Sequence, residues 1–201
     1  MKRSMTRLEI QRSYDNLIFE QQPHSPHCYF SDDFFVTESD IVIDAGTAEG
    51  NFALSIIDKV SKIYLFEADL GWIEALEATF EPWKEKVIIS NNFISNNDVG
   101  KNITLDMAIG SQSVDFIKAD IEGAEVDMLR GMDKILSRQS NLKLVLCTYH
   151  HQSDEKDLSD ILRKKGFSIS PSEGYMILFD DPDFQAPYLR RGVIRVRKCS
   201  E

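Results

Sequence analysis

The stretch Ile41-Val-Ile-Asp-Ala-Gly-Thr-Ala-Glu-Gly-Asn-Phe52 decides the fold. Its apolar start is long enough for a buried strand, and Gly46 and Gly50 supply a tight turn. Phe52, Leu54, Ile56, Ile57 and Val60 then recur at helical spacing. Strand, glycine turn and helix together form the entry of a nucleotide-binding α/β unit. The spacing Asp44-x-Gly46-x-Ala48-x-Gly50 departs from the Gly-x-Gly-x-x-Gly of dinucleotide binders. An ordinary strand-to-helix turn has a similar composition, so the pattern needs support from the rest of the chain.

That support begins at Lys62-Ile-Tyr-Leu-Phe66, a second buried strand ending at Glu67. An acid at a strand's carboxyl end, about 20 residues past a glycine turn, is placed to bind ribose hydroxyls. Asp69 is the better candidate for complementing the next helix N-terminus. The first loop is close to the acidic-Gly-x-Gly-x-Gly loop of S-adenosylmethionine (SAM) enzymes. Such a ligand has no phosphates. It needs backbone that approaches closely and carboxylates facing its ammonium and sulfonium charges. Asp44, Gly46, Thr47, Gly50 and Glu67 are therefore the first candidate cofactor residues. A helix through Trp72, Leu76 and Phe80 ends near Pro82, and Lys86-Val-Ile-Ile-Ser90 is a third strand. Asn92 and Phe93 follow it, where an adenine edge would lie.

The 201 residues, 42% of them hydrophobic, suit one core and one domain. Residues 1–40 read as an N-terminal helix with a lid-like segment, and 41–201 as a Rossmann-like core. A net charge of −10 argues against a broad grip on nucleic acid or an anionic membrane. Cys28, Cys147 and Cys199 form no paired spacing, which fits a reducing compartment. With no span of roughly 20 apolar residues and no signal-peptide pattern, the expected location is cytoplasmic.

Met5, Leu8, Leu17 and Ile18 give residues 4 to 20 an imperfect helical pattern, expected against the core or over the site. His24, His27 and Cys28 are metal-ligand types without a second ligand group at zinc-like spacing, and no metal site is assigned. Ile103 to Met107 is a short strand or a helix entry. The run Val114-Asp-Phe-Ile-Lys-Ala-Asp-Ile-Glu-Gly-Ala-Glu-Val-Asp-Met-Leu-Arg-Gly131 is a central strand, expected from Val114 to Ala119, with charges at its carboxyl end. Lys118 and Asp120 point to one side, and Glu122 and Glu125 share a face at the next helix start. Buried ions are costly unless paired or opening into a cleft. The open alternatives are carboxylates that only complement the helix, or a divalent ion on Asp120, Glu122 and Glu125. Leu142 to Cys147 is a fifth strand ending at Thr148-Tyr-His-His151, where His150 and His151 suit proton transfer near neutral pH. A sixth strand is expected over Phe167–Ile169 and Tyr175–Phe179, and a last one over Val193–Lys198. The link from Asp180 to Gly192, with Tyr188, Arg190 and Arg191, is expected to border the acceptor site.

The Asp44–Gly50 loop, Thr104-Leu-Asp106, the Lys118-x-Asp120-x-Glu122-Gly-x-Glu125 signature with Leu129 and Gly131, and Tyr149-His150 together resemble the FkbM-type methyltransferase family from about Tyr29 to Gly166. The resemblance implies a Rossmann-like class I methyltransferase fold: a mostly parallel seven-stranded sheet, its last strand antiparallel, with helices on both faces. It implies SAM as donor and a hydroxyl acceptor on a small metabolite, saccharides included. Thr47-Ala48 and Cys147-Thr148-Tyr149 depart from the family's commoner Ala-Asn and acidic residue. On this reading Asp120 or His150 is the base, and Lys118 stabilises the cluster or contacts the acceptor. Asp120 also borders the donor, and Glu122, Glu125, Tyr149 and His151 face the acceptor. A non-catalytic SAM-binding domain serving a protein partner is the competing expectation.

Overall fold

A computed structural model describes residues 1–179, 185–186 and 188–198. The expectations for Cys199 and for positions 180–184 and 187 of the link lie outside the described residues. Thr6 and Glu9 form a reciprocal capping box that starts α1 (Arg7–Glu20). No side chain of α1 is buried. It does not lie on the core, and only its carboxyl-terminal end reaches the site. The imperfect apolar spacing left α1 without a continuous stripe to bury.

The chain then enters β1 (Ile41–Ala45), α2 (Asn51–Ile56), β2 (Lys62–Phe66), α3 (Leu70–Phe80) and β3 (Val87–Ser90). A short ladder, β4 (Phe93–Ile94) with β5 (Asn102–Ile103), precedes α4 (Leu105–Ile109). After β6 (Phe116–Ala119) come α5 (Glu125–Arg130) and α6 (Asp133–Arg138). The chain ends in β7 (Lys143–Cys147), α7 (Asp154–Lys164), β8 (Phe167–Pro171) and β9 (Val193–Lys198).

Seven strands form one sheet in the order β3-β2-β1-β6-β7-β9-β8. The first five are parallel, and β9 runs antiparallel to both neighbours. Val42, Phe116 and Val145 pack with Phe52, Ile57, Leu76 and Phe80 on one face. Ile43, Ile117 and Leu144 pack with Leu105, Met128, Leu136 and Leu162 on the other. Central strands buried on both faces account for the near-continuous apolar runs. Strand order reverses between β1 and β6, which opens a crevice at their carboxyl ends.

Three expectations need correction. Tyr175–Phe179 is no strand, and among the described residues it makes a single bridge, from Met176 to Arg190. Val114 precedes β6. The spacing of Leu129, Met132, Ile135 and Leu136 continues one helical apolar face, but the structure has two helices there, and Asp106 caps the second by accepting from the Lys134 and Ile135 N–H groups. At their junction the chain passes so close to Ser95 that a Cβ on Gly131 would lie 2.2 Å from its carbonyl oxygen. Thr104 caps α4 through the Met107 N–H.

Candidate functional site

The parallel register places Asp44 beside Leu65 on one side and Lys118 on the other, so the glycine loop, Glu67 and Asp120 emerge at one edge. Gly46 has φ +74°, and a Cβ there would lie 1.8 Å from the Asp120 carbonyl oxygen. No side chain fits between the loop and the β6 end, which is why glycine stands there. Gly50 (φ +83°) lies deeper, and its Cβ would meet Leu76 and Phe80 at 2.9 Å. Thr47 turns inward, its hydroxyl donating to the Asp44 carbonyl at 2.9 Å. Glu67 accepts from the Ala48 N–H at 2.7 Å and the Asp69 N–H at 2.8 Å, tying the β2 end to the loop.

A cavity of about 330 Å³ opens beside Glu67, bordered by Trp72, Asn92, Phe93, Ile121 and Glu122. Asn92 sits at its rim with both polar ends engaged, accepting from the Ser90 hydroxyl and donating to the Lys101 carbonyl. A second cavity, about 130 Å³, is bordered by Glu20, Tyr29, Thr47, Glu49 and Lys118. Gly46, Ala48 and Asp120 line both. Asp44 borders neither and is fully buried.

Beneath the loop, Lys118 donates to the Gly46 carbonyl at 2.6 Å and lies 3.0 Å from an Asp44 carboxylate oxygen. Burial pushes the Asp44 carboxyl up to about 6 against the pull of Lys118. Burial works against the Lys118 charge too, but Asp44 and Asp120 outweigh it and raise its pKa. One ammonium thus ties the loop to the β1 acid, with the β6 acid a further charge nearby.

Asp120 is the hub. Its carboxylate accepts from the Tyr29 hydroxyl at 3.0 Å and the Tyr149 hydroxyl at 3.1 Å, and lies 3.4 Å from both His27 and His150. Burial opposes its charge, yet His27, Lys118 and His150 hold it well below the usual carboxylate range. Burial, with Asp120 next, raises the Tyr29 hydroxyl and the Cys147 thiol. Burial, Cys147 and Asp120 raise the Tyr149 hydroxyl. All three therefore stay neutral. Arg190 donates to the Tyr149 and His150 carbonyls and fixes this wall.

His150 stands 3.3 Å from Glu125 and 3.7 Å from Glu122. Burial disfavours its charge, but Glu125, Asp120 and Glu122 outweigh it and raise the imidazole pKa. Glu125 is buried and accepts from the Ile121 N–H at 2.9 Å, closing the turn before α5. Glu122 has φ +55° and a side chain 94% exposed at the mouth. His151 is not brought to the cluster. Its backbone N–H and ring engage Asp154 beside α7, and the ring leans over Gly123.

Glu20, His27, Tyr29 and Trp72 join the site without having been singled out for it. His27 was weighed only with His24 and Cys28. Two trios hold ligand atoms within 4.8 Å of one another: His27, Asp120 and Cys147; and Asp120, Glu125 and His150. Neither His24 nor Cys28 belongs to them. Among the described residues no helix is long and apolar enough to cross a membrane.

The family model of the Methyltransferase FkbM domain matches residues 101–169, which supports the resemblance read from Lys118 to Glu125 and Tyr149-His150. A methyltransferase FkbM from Methylobacillus flagellatus superposes with a TM-score of 0.68 at 19% identity, covering 88% of this chain and 48% of that one. The chain thus spans about half that relative's length. A Streptococcus mutans protein in complex with S-adenosylhomocysteine (SAH) superposes at 0.56 and 14% identity, covering 97% of this chain and all of that one. An rRNA methylase from Streptococcus thermophilus gives 0.53 at 14% identity, with coverages of 98% and 100%. Likenesses this distant establish the class I methyltransferase fold. No curated protein matches.

Proposed function

We propose that this chain is a SAM-dependent methyltransferase that methylates a hydroxyl on a small metabolite, saccharides included. The observation that carries this reading is that two cavities share Gly46, Ala48 and Asp120 as lining. One leads to Glu67, suited to ribose hydroxyls, and the other to carboxylates suited to a cationic amino-acid end. Gly46 allows the backbone approach that such a ligand requires. The residues therefore fit SAM, which when bound supplies a methyl group on a sulfonium, a good leaving group for in-line displacement.

The chain's own residues align the acceptor and take its proton. Asp120, held ionised by its donors, is a poor proton acceptor and a good anchor for a hydroxyl or for positive charge. His150, when neutral, is the base that would take the proton of the acceptor hydroxyl as the methyl group is transferred. Lys118 keeps the loop and Asp44 in place and needs no contact with the acceptor. The acidic mouth, including Glu122, supports a neutral or cationic acceptor over a polyanion such as nucleic acid.

The test is SAH formation from SAM across a panel of monosaccharides, oligosaccharides, simple alcohols and RNA. Turnover with a hydroxylated small molecule, lost in His150→Ala, is the expected result. SAH binding without turnover on any acceptor overturns catalysis and leaves a cofactor-binding module; turnover on RNA alone overturns the acceptor class.

A further inference from the structure

The N-terminal helix ends in a charge that its surroundings do not balance. Glu20 is the last residue of α1, where the helix dipole disfavours an anion and no basic residue stands in the final turn. It lines the smaller cavity together with Glu49 and Asp120. Lys118, which also lines it, is committed to Gly46 and Asp44. Among the described residues no lysine or arginine pairs with Glu20 or Glu49, and the ring nitrogen beside Glu20 is His27 Nδ1, 3.7 Å away. Burial, Asp120 and Glu49 all raise the Glu20 pKa, against a lowering by His27. A half-buried anion beside two more asks for a positive charge in the space they share.

The backbone around Glu20 is fixed. Gln21 donates to the His27 carbonyl and accepts from the Tyr29 N–H. The Arg195 guanidinium holds the Cys28, Tyr29 and Phe30 carbonyls from β9. At the other end, Lys2 pairs with Asp69 and lies 4.7 Å over the Trp72 ring, at the rim of the larger cavity. The segment thus crosses the cleft from one cavity to the other, with α1 as the span.

Resting on the donor reading above, we propose that Glu20 is the carboxylate that receives the α-ammonium of the donor's amino-acid end, making the N-terminal segment part of the donor site. The sheet and glycine loop supply the adenosine half of the site, and α1 closes the amino-acid half. A ligand with the same adenosine but no amino-acid end gains nothing from Glu20.

The test is calorimetric binding of SAH and of 5′-methylthioadenosine, which lacks the amino-acid end, to the wild type, Glu20→Gln and Glu49→Gln. Glu20→Gln is expected to weaken SAH about tenfold or more, more than Glu49→Gln does, and to leave 5′-methylthioadenosine within about twofold. The proposal is overturned if Glu20→Gln leaves SAH unchanged, if it weakens both ligands equally, or if Glu49→Gln carries the loss. A wild type that binds 5′-methylthioadenosine as tightly as SAH overturns it while leaving the adenosine site standing. Binding of neither overturns the donor reading as well.

Discussion

The two acids that frame the cleft are held in opposite ways. Glu67 emerges at the end of β2 and is satisfied by two backbone N–H groups, from Ala48 and Asp69. Asp120 emerges at the end of β6 and is satisfied by side chains from distant parts of the chain: Tyr29 and His27 from the N-terminal segment, Tyr149 and His150 from beyond β7. The first arrangement costs little, because those backbone donors need acceptors anyway. The second places several ionisable groups in low dielectric, where each must be compensated. The Glu67 side of the cleft is thus a local feature of strand and turn, and the Asp120 side is a long-range assembly of coupled ionisable groups.

That contrast predicts where substitutions act. The largest effect belongs to Lys118→Met, which strands the buried Asp44 carboxylate and frees the loop. Breaking a buried pair by removing one partner costs about 3–5 kcal/mol, so urea titration should show a loss of that order, and a loss below about 1 kcal/mol would contradict the coupling.

A smaller effect is expected at Glu125. Glu125→Gln keeps the oxygen that accepts from Ile121 but removes the negative charge beside His150. The groups facing that imidazole are Glu125 from α5, Asp120 at the end of β6 and Glu122 in the turn between them. Because these carboxylates raise the pKa, the neutral base forms only at higher pH, and activity rises as pH rises through that value. Removing one should move the ascending limb of kcat about one pH unit toward acid; an unmoved limb would remove His150 from the role of base. The smallest effect is expected at His151→Ala, since that ring engages Asp154 and α7. The kcat/KM should stay within about threefold of wild type and stability within about 1 kcal/mol.

The same contrast explains what was legible in the sequence. Strand ends, the glycine loop and the acids at 67 and 120 follow from local patterns, and β2 and β9 match their expected limits, Lys62–Phe66 and Val193–Lys198. The resemblance carried by Lys118 to Glu125 pointed to the cluster that gathers around Asp120. His27 and Tyr29 were invisible as site residues because their contacts with Asp120 span about a hundred residues or less and leave no periodic trace. His151 was paired with His150 by adjacency, but the backbone sends the two rings to different neighbours. Tyr175–Phe179 has strand composition and, among the described residues, one bridging partner, and composition alone does not make a ladder.

The most direct test of the account is calorimetric binding of SAM and SAH to the wild type and to Glu67→Ala. The account predicts micromolar binding to the wild type and a loss of at least tenfold in the variant, about 1.4 kcal/mol. Absence of binding to the wild type, or equal binding to both proteins, would contradict the claim that this cleft holds the methyl donor.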